Sequence, residues 1–171
     1  MSRVLGYMEI DDQIDVSRIA VIGHLRLGKA ALWAGAQDTR FAMVVSNNAG
    51  CGGAAFYRRC YGERIHHMVK PVGDWCLANS QDREQELPVD QHRLMALVAT
   101  RPLYVASAAA DRWADLMVEF LAAKNAASVC GLFEKLSLGA QELPDAKHLI
   151  HATTGYQIQE RKHDLTEYDW R

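Results

Sequence analysis

The chain has 171 residues, 49% of them hydrophobic and 23% charged: the length of one domain and the composition of an ordinary globular protein with a sizeable core. A formal net charge of −2 without a basic tract argues against nucleic acid as the main partner. No apolar run approaches the ~20 residues that a membrane span needs, so no membrane is expected as a partner. Four cysteines, Cys51, Cys60, Cys76 and Cys130, include no Cys-x-x-Cys pair and read as free thiols rather than a disulfide framework or a zinc site. No cofactor is expected.

Met1 to Asp12 mixes acidic and apolar residues and does not read as a signal peptide, which leaves the compartment open. Within it, Val4, Leu5 and Met8 behind Ser2 as N-cap predict a short helix over residues 2–10. Ile19 to Ile22 is a β-branched run and predicts the first strand, and 29–36, small and apolar nearly all round, predicts a helix packed close to a sheet. Phe41 to Val45 is the second strand, followed by a loop over 47–53. The glycines of Gly50-Cys51-Gly52-Gly53 let backbone pass close to neighbouring structure there.

Helix is expected in part of 56–67, and no element is expected over 70–86. Asp90 predicts the cap of a helix over 91–98, stopped by Arg101-Pro102, and Leu103 to Ser107 is the third strand. Residues 113–124 read as an amphipathic helix with Leu116, Val118, Phe120 and Leu121 turned inward and Asp115, Glu119 and Lys124 solvated. Tyr156 to Ile158 predicts a short fourth strand. Strands alternating with helices imply an α/β protein with a mostly parallel sheet, covered on both faces.

The chemistry should sit where the first strand turns into the first long helix, between Gly23 and Gly28. Backbone N–H groups at such a turn attract negative charge. One reading is a phosphate-binding loop, G-x-x-x-x-G-K-[ST], which Gly23, Gly28 and Lys29 fit. Ala30 then lacks the metal-holding hydroxyl, and the second strand runs into Ser46-Asn47-Asn48 with no Asp. The other reading is a nucleophile elbow, a strained strand-to-helix turn that exposes one side chain.

Gly23-His24-Leu25-Arg26-Leu27-Gly28-Lys29 resembles the G-[CH]-S-R-x-G-K elbow of the glucuronoyl esterases, carbohydrate esterases of α/β-hydrolase fold. The resemblance continues through Ser46-Asn47-Asn48-Ala49-Gly50-Cys51-Gly52-Gly53-Ala54-Ala55, Arg58 to Glu63, Leu87 to His92 and Arg101 to Ser107. It ends with Gly155-Tyr156 and His163 to Trp170, in family order over nearly the whole chain. Because the elbow follows the first clear strand, the resemblance implies one domain over 1–171: the C-terminal half of the family's three-layer αβα fold.

The family's reaction is hydrolysis of the ester between glucuronic acid of xylan and a lignin alcohol, through an acyl-enzyme on Ser and without metal. By resemblance, His163 is the base and Arg26 stabilises the oxyanion. The acid has two possible places, Asn48 after the second strand and Asp111 after the third; Asp111 is favoured, although it also suits a helix N-cap. Lys29, Glu63 and Trp113 match positions that contact the hydroxyls and face of the glucuronate ring, where charge and an aromatic plane suit a sugar. The nucleophile position holds Leu25, which has no lone pair to attack a carbonyl. A nucleophile-lacking esterase is therefore the expectation. The alternatives are a uronate-binding module and, third, a nucleotide-binding protein using Gly23–Lys29. The strand 19–22 also loses partners if its half of the sheet stands alone, so its edge is expected to self-associate or to receive the missing N-terminal half.

Overall fold

The computed structural model describes residues 1–69, 80–146 and 148–166; Cys76, most of the stretch 70–86 over which no element is expected, and the end of the His163–Trp170 block lie outside them. The β-branched and apolar runs form four strands: β1 (Ala20–His24), β2 (Met43–Asn47), β3 (Leu103–Ala108) and β4 (Thr154–Gln159). They make one parallel sheet in the order β1-β2-β3-β4. Each strand ends one or two residues beyond the expected run, because ladder hydrogen bonds also carry polar residues such as His24, Asn47 and Gln159, while β1 and β2 start one and two residues late and β4 two residues early.

The helices are α1 (Ser2–Met8), α2 (Arg26–Gln37), α3 (Ile65–Val69), α4 (Gln91–Ala96) and α5 (Leu116–Gly131). Together with the sheet they give a three-layer αβα architecture of α/β-hydrolase type, whose two faces are unevenly covered. Successive right-handed crossovers in one direction along a sheet put their helices on one side. Accordingly α2 lies on Val44, where a Cβ on Gly35 would come within 2.2 Å of a Val44 methyl. On that same face the Phe120 ring of α5 meets Tyr156 at 5.3 Å. Ile22, Val45, Tyr104 and Gln157 on the opposite face are only half-buried.

Small residues set how closely the helices approach. Ala31, Leu32 and Ala34 of α2 and Ala122, Ala123, Ala126 and Ala127 of α5 are buried with Val44, Val105 and Tyr156 in the main core. Asp90 caps α4 as expected, accepting from Gln91 N at 2.8 Å, and it also accepts from Tyr57 N at 2.8 Å. Three expectations need correction. Ser2 is not a cap: Met1 precedes α1 without any side-chain hydrogen bond. Of the partial helix expected over 56–67, only α3 forms. And α5 begins at Leu116 and runs to Gly131, with Asp115 and Glu119 buried rather than solvated.

Among the described residues, no helix is long and apolar enough to cross a membrane.

Candidate functional site

β1 ends at His24 and α2 begins at Arg26, so a single residue, Leu25, makes the turn. Its backbone sits at φ 54° and ψ −115°, a region that costs a non-glycine residue about 1–3 kcal/mol. The turn is held by Leu25 N donating to Asn47 O at 3.0 Å and Lys29 N donating to Leu25 O at 3.2 Å. Two glycines let it close. A Cβ on Gly23 would lie 1.9 Å from Leu27 O, and one on Gly28 would lie 3.1 Å from both Asn47 O and the Ala49 methyl. This is the backbone of a nucleophile elbow. It leaves no open phosphate cradle, since Gly28 and Lys29 are already inside α2.

The strain yields a direct expectation. Leu25→Gly should raise stability by about 1 kcal/mol in urea unfolding, because glycine accepts this backbone freely and Leu25 is only half-buried. Its larger chain entropy in the unfolded state offsets part of the gain. An unchanged or lower midpoint would mean that packing of the Leu25 side chain outweighs the strain.

Beyond β3 the chain turns at Asp111, whose Oδ1 accepts from Trp113 N at 3.0 Å and Ala114 N at 3.1 Å. That leaves Oδ2 for the ring of His163, which meets it through Nδ1. Of the two places for the acid, Asp111 is the one bonded to the imidazole. Asn48 instead donates from Nδ2 to Asp164 O at 3.4 Å and to Asn47 Oδ1 at 3.0 Å, so it reaches the His163 loop through backbone. With Nδ1 directed at Asp111, His163 keeps Nε2 as its second ring nitrogen; it is buried and has no hydrogen-bond partner among the described residues. The ring of His24 lies against that of His163, 4.5 Å between centroids, and its own Nδ1 is 2.7 Å from Asn47 Oδ1. Asn47 Oδ1 can only accept, so His24 Nδ1 is the donor.

A second cluster gathers around the first turns of α2. Lys29 Nζ is 2.6 Å from Glu63 Oε2 and 2.7 Å from Ala49 O, and also meets Cys51 O. Both side chains of this pair are largely buried. Glu63 N donates to Trp113 O at 2.8 Å, which ties the ion pair to the Asp111 turn. The Trp113 indole is 48% exposed and lies 4.7 Å from the His67 ring. Arg26, the first residue of α2, is exposed beside Leu25. A cavity of about 450 Å³ opens beside Lys29, walled by Trp33, Tyr57, Met68 and Leu94. A larger one, about 570 Å³ at residues 138–150, touches none of the candidate residues.

Lys29 and Glu63 thus meet side chain to side chain, with Trp113 joined to Glu63 through its backbone carbonyl, and Asp111 meets His163. Reading the sequence alone missed His24 and His67, whose ring contacts join residues far apart in the chain, and Glu119. For Glu119 a signal existed: the 119, 123, 126, 130 spacing places it in line with buried Ala123, Ala126 and Cys130.

The family pattern described as "Glucuronyl esterase, fungi" matches residues 1–133. The carbohydrate esterase MZ0003, from an unknown prokaryotic organism, is 45% identical over 173 residues, covering 99% of this chain and 40% of its own length. The 4-O-methyl-glucuronoyl methylesterase of Cerrena unicolor is 35% identical over 115 residues, 60% of this chain and 24% of its own length. Among solved structures, a promiscuous CE15 esterase from a marine bacterial metagenome superposes with a TM-score of 0.96 at 44% identity, over 99% of this chain and 43% of that one. The chain spans less than half the length of each of these relatives.

Proposed function

The chain belongs to the glucuronoyl esterase family, and from that premise we propose that it is the uronate-recognising part of such an esterase with the ester-cleaving step lost. One observation carries this reading: the elbow backbone is kept at position 25 while its side chain offers no nucleophile. In the family's reaction as the resemblance gives it, a serine hydroxyl at that turn attacks the ester carbonyl. His163 Nε2 takes the hydroxyl proton and later returns it to the leaving alcohol, while Asp111 holds the imidazole by Nδ1. Arg26 faces the oxyanion. Leu25 has neither lone pair nor proton for this sequence of steps. Water attack assisted by His163 would leave about 10³–10⁴ over the uncatalysed rate, as in triad knockouts generally.

The substrate class is an ester of glucuronic acid with an alcohol, as in lignin–xylan linkages or the 4-O-methyl-glucuronoyl methyl ester. Glu63 would accept from the ring hydroxyls with Lys29 holding it in place, and Trp113 would lie against the sugar's C–H face. A second reading, a dedicated uronate-binding module, is favoured by the intact Lys29–Glu63 pair beside an exposed indole. A nucleotide-binding reading fits less well, since the Lys29 ammonium is already engaged by three oxygens. The same proposal holds that the outer edge of β1 takes a strand from another polypeptide, either the preceding part of a family fold or a second copy.

Indole fluorescence during titration with methyl glucuronate tests the sugar site. Glu63→Gln should weaken binding about tenfold or more, through loss of a charge-assisted hydrogen bond. Trp113→Ala, followed by calorimetry, should do likewise. Equal affinity in both variants and the parent chain would place the sugar elsewhere or nowhere.

A further inference from the structure

Glu119 is fully buried in the first turn of α5, and neither the esterase chemistry nor the sugar contacts employ it. Its Oε1 accepts from Gly50 N at 2.9 Å, and its Oε2 accepts from Ser107 Oγ at 2.6 Å. Ser107 in turn accepts from the Tyr156 hydroxyl at 3.0 Å. The carboxylate therefore joins α5, β3, β4 and the loop after β2 at one point.

That loop is the one that holds Lys29. Gly50 turns its N–H inward to Glu119, while the carbonyls on either side of it, Ala49 O and Cys51 O, turn to the Lys29 ammonium. Gly50 needs φ +58° to do this, and a Cβ there would lie 3.2 Å from Glu63 Oε2 and 3.3 Å from Ala114 Cα. So one glycine separates the buried carboxylate from the Lys29–Glu63 pair on one side and the Asp111 turn on the other. We infer that Glu119 is a positioning residue of the uronate site: it fixes Lys29 through the 49–51 loop, and its protonation state tunes how the site receives an anionic uronate. This rests on reading Lys29, Glu63 and Trp113 as a sugar site.

Burial pushes the Glu119 carboxyl up to about 7, against the opposing pull of the Ser107 and Gly50 hydrogen bonds; Asp111 adds to the rise and Lys29 opposes it. The other groups facing this network are His163 on Asp111, Glu63 beside Gly50, Tyr156, and Asp115, which is paired with Arg59 at 2.7 Å. Below neutrality Glu119 is neutral and one negative charge beneath the site disappears. Free glucuronate carries a charge and feels that change; its methyl ester does not.

The test uses glucuronate and methyl glucuronate as probes on the full chain carrying His163→Gln, His24→Gln and His67→Gln, so that the imidazoles against the acid turn and Trp113 contribute nothing to the profile. Glucuronate should bind about fourfold more tightly at pH 6 than at pH 8, the effect of one charge roughly 10 Å away in a partly screened site, while the ester shows a flat profile. Adding Glu119→Gln should flatten the glucuronate profile, because the amide still accepts from Gly50 N and donates to Ser107. Ser107→Ala should instead move the midpoint upward by removing a donor to the carboxylate. The Gly50 amide resonance, followed without ligand, should titrate near neutrality in the parent and not in the Glu119→Gln protein. A glucuronate profile that Glu119→Gln leaves unchanged, or a flat Gly50 resonance in the parent, overturns the inference while the sugar site stands. Failure of either probe to bind at any pH overturns the sugar-site reading and this inference with it.

Discussion

The chain should hydrolyse methyl glucuronate at least about 10³-fold more slowly than an intact family member, since removing a triad nucleophile leaves only what the remaining groups can do with water. Leu25, proposed as the counterpart of the family's nucleophile, carries no attacking oxygen, and the neighbouring hydroxyls do not replace it. Ser107 Oγ is occupied between Glu119 and Tyr156, and Ser46 is a buried residue of β2. Restoring Leu25→Ser alone should leave the rate within about tenfold of the parent. An α/β-hydrolase oxyanion hole takes one N–H from the residue after the nucleophile and a second from the loop after the third strand of the complete sheet. On the proposed reading, the four strands among the described residues belong to the other part of that sheet. Adding the preceding portion of a relative to the Leu25→Ser protein should raise the rate by about 10² or more, the worth of one oxyanion donor. Full activity from Leu25→Ser by itself, measured by methanol release, would show that this chain supplies both donors.

The purified chain should also self-associate at micromolar concentration. Among the described residues β1 pairs only with β2, so the other side of Ala20–His24 presents N–H and C=O groups to whatever lies beside it. Natural edges are protected by charge, proline or a covering element, and β1 carries no Lys, Arg or Pro. Large apolar side chains are exposed on the neighbouring helices: Leu27 and Trp33 on α2, Val4 and Tyr7 on α1. The first helix contributes Leu5 to the core, and Glu9 just beyond it bonds Arg40 at 2.8 Å, yet α1 adds no strand to the edge. Sedimentation should show dimers or larger species, and Ile22→Lys, on the half-buried face of β1, should shift the distribution toward monomer. A cooperative monomer at all concentrations would mean that the edge is satisfied within this chain.

The strands were legible because short apolar runs bounded by turn signals favour that element, and the Asp90 cap because a carboxylate directly before helix-forming residues suits an N-cap. The start of α2 was harder to place. Leu25, Arg26 and Leu27 read as loop when glycines flank them, and only the close approach of Gly23 to Leu27 O pulls helix back to Arg26. Asp111 was legible both as cap and as acid; in the structure one of its oxygens takes two backbone N–H groups of the turn before α5, whose N-cap is Asp115 instead, and the other meets His163. Glu119 was misplaced because a carboxylate next to Val118 and Phe120 on a helix normally marks the wet face. Here two donors from distant strands and loops offset its burial, and no local pattern encodes them.

A sugar site kept where the cleaving group has gone can be tested in both halves by one titration. Methyl glucuronate is added to the ¹⁵N-labelled chain while its ester methyl signal is followed in the same tube. Saturable shifts are expected at Lys29, Glu63 and the Trp113 indole, with the ester signal unchanged over the hours of the experiment. Loss of the ester signal at the pace of an intact esterase, or no shift at those three residues at saturating ligand, would contradict it.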